Sequence, residues 1–152
     1  MVACISLLES RLRGNLMTHS VHHSPGFLKL VEEVRARVQE ISIEDVRRKI
    51  AAGEKFHLID VREQSEFASG RLPGAIHLSK GVLERDIERL IPDRAAPIVL
   101  YCGGGYRSVL AAENLQRMGY RNVASMCGGW RAWCAAGYPT EDEEKAGRSD
   151  GS

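Results

Sequence analysis

The chain reads as an α/β domain with a mostly parallel central sheet and helices on both faces, and three observations predict this class. Short apolar runs, among them Phe56-His57-Leu58-Ile59, Ala75-Ile76-His77-Leu78, Ile98-Val99-Leu100-Tyr101 and Asn122-Val123-Ala124-Ser125-Met126, have the length of buried strands. Between them lie segments whose apolar residues recur at helical spacing, and strands alternating with helices imply crossovers and parallel pairing. The length of 152 residues suits one such domain with short appendages. The expected boundaries are a variable or flexible leader over 1–23, a single domain over 24–139 and a flexible tail over 140–152.

Each element has a local justification. From Ile5 to Leu16, the residues Ile5, Leu8, Leu12 and Leu16 share a stripe, which fits a short amphipathic helix or a flexible leader; Met17 offers an alternative start. Ser24-Pro25 is a helix cap followed by proline in the first turn, and Phe27, Leu30, Val31, Val34 and Val38 form the apolar face. Ile41 is expected in a very short strand, and Ser42 with Asp45 resembles a capping box for a helix ending near Gly53. The strand through Ile59 delivers Asp60 and Arg62 to its C-terminal end. A polar turn or short helix through Glu66 and Phe67 leads to Gly70-Arg71-Leu72-Pro73-Gly74. Val82, Leu83, Ile87, Leu90 and Ile91 mark a helix face before Pro92. The helix from Ser108 to Met118 buries Val109, Ala112, Leu115 and Met118, and Gly119 stops it. Trp130 and Trp133 belong to a terminal helix, where core packing with polar partners for the indole N–H groups is expected. The charged, glycine- and serine-containing stretch from Thr140 to Ser152 reads as mobile.

Composition excludes several functions. Lysine plus arginine total 21 and aspartate plus glutamate 20, a formal charge of +1, so no nucleic-acid partner is expected. Cys4, Cys102, Cys127 and Cys134 contain no Cys-x-x-Cys pair; this resembles neither a disulfide framework nor a zinc site and fits a reducing compartment. The apolar run from Met1 to Leu8 is too short for a signal peptide, and no stretch is long enough to span a membrane. The expected location is cytoplasmic, with no membrane partner. His19, His22 and His23 read as incidental rather than as a metal site. No cofactor or metal is expected, and no Ser-His-Asp set or nucleotide-binding fingerprint competes for the function.

The chemistry concentrates at Cys102-Gly103-Gly104-Gly105-Tyr106-Arg107-Ser108. A thiol at a strand end, wrapped by a glycine-rich loop at a helix N-terminus, has the donors needed to hold a thiolate and an anion bound to it. An isolated buried cysteine beside a tight turn is the bland alternative. Strand, cysteine, glycine loop, arginine and helix in this order favour the reactive reading.

Four segments together resemble the single-domain rhodaneses: Leu58-Ile59-Asp60-Val61-Arg62-Glu63, Gly70-Arg71-Leu72-Pro73-Gly74-Ala75-Ile76-His77, Tyr101 through Ser108, and Gly128-Gly129-Trp130-Arg131-Ala132-Trp133. The resemblance implies a rhodanese-like domain and maps the sulfur-accepting cysteine onto Cys102. Gly103, Gly104, Gly105, Tyr106, Arg107 and Ser108 become the anion-binding or loop-organising set. Asp60 and Arg62 fall in the family's Asp-Val-Arg motif, which in relatives helps organise the site; Asp60 reads as a site residue, supporting from behind rather than reacting, or as a helix cap or structural ion pair. Relatives often carry arginine and serine where this chain has Gly103 and Gly104, so side-chain help for an anionic donor is missing there. The histidine common before the Pro-Gly turn is Arg71, a surface change.

The implied activity is double displacement, in which sulfur moves from thiosulfate or a related small donor onto Cys102 and then to a thiol, cyanide or protein acceptor. Arg107 either attracts the donor or braces the loop through a carboxylate such as Glu66. Cys127 reads as a resolving thiol or an ordinary buried cysteine. A persulfide-relay or partner-binding module is the alternative function. Only four residues separate Cys102 from Arg107, one fewer than in the related cysteine phosphatases, which favours sulfur over phosphate.

Overall fold

The structure is a computed structural model, and it describes residues 23–143; residues 1–22 of the expected leader and residues beyond 143 lie outside it. In chain order the elements are α1 (Pro25–Arg35), β1 (Gln39–Ile41), α2 (Ile43–Ala51), β2 (His57–Asp60), α3 (Gln64–Ser69), β3 (Ile76–His77), α4 (Lys80–Leu90), β4 (Ile98–Tyr101), α5 (Arg107–Arg117), β5 (Val123–Met126) and α6 (Gly129–Ala135). The five strands form one sheet in the order β1-β5-β4-β2-β3, and every neighbouring pair is parallel.

Strand alternation divides the core between the two faces. Ile59, Ile98, Leu100, Cys102 and Val123 pack with Val31 and Val34 of α1, Leu83 and Ile87 of α4, and Val109, Ala112 and Leu115 of α5. Leu58, Val99, Tyr101 and Met126 point the other way, onto Val46 of α2 and Trp133 of α6. Two members of the expected helix faces fall outside this core: Leu30 and Leu90 are exposed. Leu30 lies at the edge of its stripe and Leu90 is the final residue of α4, so neither faces the sheet squarely.

The caps follow the residue types only in part. Ser42 Oγ accepts the Asp45 amide at 3.1 Å, which satisfies one of the orphan donors of α2. Ser24 caps α1 through its carbonyl, which accepts the Leu28 amide at 3.1 Å, with no side-chain bond. Proline at the start removes one donor that would otherwise need a partner. Trp133 is buried and its Nε1 donates to the Pro139 carbonyl at 2.8 Å, the polar partner expected of a core indole. Pairing continues to Glu141, which exchanges backbone hydrogen bonds of 2.8 and 2.9 Å with Arg71.

Register positions the chemistry. Asp60 stands beside Tyr101 across β2 and β4, so both strands end at the same level and Cys102 leaves the sheet at its carboxyl edge. Active sites of parallel α/β sheets gather at that edge.

Candidate active site

The Cys102 side chain is buried at the end of β4. Its Sγ accepts the Gly105 amide at 3.2 Å and the Ser108 amide at 3.4 Å, and the Ser108 hydroxyl stands 3.4 Å away. Ser108 lies in the first turn of α5, where backbone N–H groups have no partner within the helix. These amides and the helix dipole favour negative charge on the sulfur. The Ser108 hydroxyl is held in turn by Ser125 Oγ at 2.8 Å.

Two close approaches fix the loop. Gly105 has φ of 92°, in the left-handed region that disfavours a side chain, and a Cβ there would lie 3.1 Å from the Gly128 nitrogen. A Cβ on Gly129 would stand 2.6 Å from the Cys102 carbonyl oxygen. The space left by these hydrogens lets the Trp130 amide donate to Cys102 O at 2.8 Å and the Arg131 amide to Gly103 O at 3.0 Å. The cysteine loop is thereby strapped to α6.

Arg107 forks onto Glu66, with bonds of 3.0 and 3.2 Å to the two carboxylate oxygens. Its hydrogen bonds hold the Glu66 carboxyl below its ordinary range, and the same bonds raise Arg107. The loop-bracing geometry expected of Arg107 is present, and its charge is balanced.

The sulfur opens toward a cavity of about 580 Å³ whose floor includes Cys102, Gly104, Arg107 and Arg131. One wall is aromatic: the Tyr106 ring lies 4.6 Å from His23 and 6.3 Å from Phe27. Desolvation first, and then the charges of Arg131 and Arg107, keep His23 below its ordinary pKa.

Asp60 and Arg62 are placed elsewhere. Arg62 donates to both Asp60 oxygens, with a closest separation of 2.7 Å, and to the Gly70 carbonyl at 2.6 Å. Its guanidinium also lies 4.8 Å over the Trp130 ring. Neither side chain has a hydrogen bond to Cys102 or borders its cavity. They join β2, the turn after α3, and α6 behind the loop.

The expected set is thus divided. Gly105 and Ser108 reach the sulfur, Gly104, Tyr106 and Arg107 line the approach, and Gly103 is buried beneath Arg107 and Arg131; neither Gly103 nor Gly104 bonds to Sγ. Sequence reasoning missed Ser125, Arg131, His23 and Phe27 as site neighbours. A signal existed for Ser125, a polar residue inside a wholly buried strand, which demands a partner. The Cys127 side chain is buried, and its amide donates to Ile41 O at 2.9 Å.

Among the described residues, no three His, Cys, Asp or Glu side chains are grouped to hold a metal; His19 and His22 lie outside them. No described helix is long and apolar enough to cross a membrane.

A thiol cradled by loop amides at the carboxyl edge of a parallel sheet defines a cysteine-loop α/β domain. The rhodanese-like domain family model matches residues 42–136, and the chain belongs to that family. It is 36% identical over 96 residues to the Bacillus subtilis candidate sulfurtransferase YtwF, covering 63% of this chain and 90% of that one. It is 30% identical over 101 residues to YrkF, a candidate sulfur carrier protein of the same organism, covering 66% of this chain and spanning only 54% of that relative. Among solved structures, RPA3614 of Rhodopseudomonas palustris, described as a possible tyrosine phosphatase, superposes with a TM-score of 0.71 at 28% identity, covering 82% of this chain and 99% of that one.

Proposed function

We propose that this chain is a sulfurtransferase that carries sulfane sulfur on Cys102. Family membership supports sulfur transfer in general. The observation that carries the specific reading is the Cys102 sulfur held by the Gly105 and Ser108 amides. The Cys102 thiolate attacks the outer sulfur of thiosulfate, the S–S bond of the donor breaks, and sulfite leaves with the bonding pair. The product is a Cys102 persulfide anion, so two negative charges on thiosulfate and one on the thiolate become two on sulfite and one on the persulfide. A thiol, cyanide or protein acceptor then takes the terminal sulfur. The amides stabilise negative charge before and after transfer, and no general base is required once the thiolate has formed.

The likeness to YrkF supports a second reading, in which the same persulfide is relayed to a protein partner with little free-standing turnover. Phosphatase chemistry fits less well: four residues enclosed by Cys102 and Arg107 make a small cradle, and a phosphorylated substrate also needs its leaving oxygen aligned and protonated.

Cys102→Ser tests the assignment. Serine nearly preserves size and loses the nucleophile, so sulfite release from thiosulfate and the mass gain of one sulfur atom should both vanish while the thermal midpoint stays near wild type. Undiminished turnover would remove Cys102 from the reaction. Aryl-phosphate hydrolysis measured alongside should stay below sulfur transfer; Cys102-dependent phosphate release without persulfide would reverse the assignment.

A further inference from the structure

Arg107 and Arg131 both border the cavity over Cys102, and they differ in what they are committed to. Arg107 is forked onto Glu66. Arg131 makes no side-chain hydrogen bond or salt bridge among the described residues, and its backbone, not its guanidinium, is what ties it to the loop. The absent side chains below leave room for that guanidinium, and over Gly103 also for Arg107, whose Nη2 would stand 3.0 Å from a Cβ there. A Cβ on Gly103 would stand 3.4 Å from Arg131 Nη2, and one on Gly104 would stand 3.3 Å from Arg131 Nη1. The charge therefore lies across the bare floor of the loop, beside the opening to the sulfur.

We propose that Arg131 is the anion-recognition residue of this site, binding the oxyanion group of the sulfur donor while Cys102 attacks its sulfur. The inference rests on the sulfur-transfer reading for the donor's identity, and its recognition chemistry is tested independently. A guanidinium with no partner among the described residues presents parallel N–H donors that match a sulfonate or carboxylate fork. Gly103 and Gly104 make room for it, so a cation supplied from α6 stands where loop side chains are absent. Its tether also suits the role, because the Arg131 amide bonded to Gly103 O fixes the start of the side chain 3.0 Å from the loop. Arg107, neutralised by Glu66, keeps the loop in shape.

Iodoacetate and iodoacetamide are reagents of nearly equal size that differ in charge, and both alkylate a thiolate without requiring sulfur transfer. The rate at Cys102, followed by peptide mass mapping so that alkylation at Cys134 is scored separately, gives a ratio of anionic to neutral reagent. Arg131→Gln should lower that ratio by roughly three- to ten-fold, the range for one charge-assisted contact at a partly solvated site, because the anionic reagent loses more than the neutral one. Arg131→Lys should recover part of the ratio by retaining charge without the fork. Arg89→Gln, which removes an equal charge from α4 away from the cavity, should leave it at the wild-type value.

A ratio unaltered by Arg131→Gln, whether both rates persist or both fall together, would overturn the proposal. So would an equal drop with Arg89→Gln, which would mean that only net charge matters. The parallel assay is the KM for thiosulfate, expected to rise by a similar factor with kcat nearly kept. A shifted alkylation ratio with no thiosulfate turnover in wild type would uphold Arg131 as the anion contact and reject the donor assignment instead.

Discussion

Two carboxylate–arginine pairs have their carboxylates six residues apart, at Asp60 and Glu66, and solvent makes them different devices. In Asp60–Arg62 the side chains are 0% and 3% exposed, whereas in Glu66–Arg107 they are 37% and 32% exposed. Inside, where the charges are removed from water, losing one partner strands the other. At the half-exposed pair water can replace a lost partner, so the interaction is worth little to the fold and its value lies in aiming the loop. The same chemistry therefore locks the scaffold at one site and tunes the cradle at the other.

The largest effect should come from breaking the buried pair. Asp60→Ala leaves the Arg62 guanidinium buried with the Gly70 carbonyl as its remaining hydrogen-bond acceptor, and urea unfolding should show a loss of about 3–5 kcal/mol. A loss below about 1 kcal/mol would erase the distinction between the two pairs. At the other pair, Arg107→Ala should cost no more than about 1 kcal/mol of stability while lowering sulfur transfer about ten-fold through the lost bidentate brace. Arg107→Lys should rescue little, because a single ammonium cannot reproduce the planar fork; full rescue would show that charge alone suffices.

The smallest effect is in pH. Glu66 has its folded pKa lowered, chiefly by the hydrogen bonds from Arg107. Its contribution is therefore full above the ordinary carboxylate range and is lost as pH falls through that range toward the folded value. Stability and sulfur transfer should both show this acid limb in wild type, and Glu66→Gln should flatten it. An identical acid profile in the variant would assign the limb to another group.

What was legible in the sequence depended on whether the signal was local. The strands, the cysteine loop, the Ser42 cap and the core tryptophan are governed by neighbours a few residues away, and they form much as the residue types demand. Glu66 as the partner of Arg107 was also readable, since it was the carboxylate expected in the short segment after β2. Arg131 was hidden because its importance comes from what is missing at Gly103 and Gly104, brought beneath it only when α6 packs on the loop. His23 and Phe27 were hidden for a related reason. Their contact with Tyr106 is made by the placement of α1 beside α5, which helical spacing does not reveal. Asp60 and Arg62 were expected behind the site or as an ion pair from their motif, and the structure adds the partners, the Gly70 carbonyl and the Trp130 ring.

The straps from Trp130 and Arg131 to the carbonyls of Cys102 and Gly103 also impose a timetable on a chain made from its N-terminus. While the polypeptide is being synthesised, the thiol appears well before the residues that hold its loop, and β1 must wait for β5 before it can enter the sheet. A nascent chain that has produced β4 but not α6 carries its cysteine without the finished cradle. The finished cradle is thus deferred until translation has nearly passed α6, and a stalled fragment ending short of Trp130 would carry Cys102 without the bonds that strap its loop.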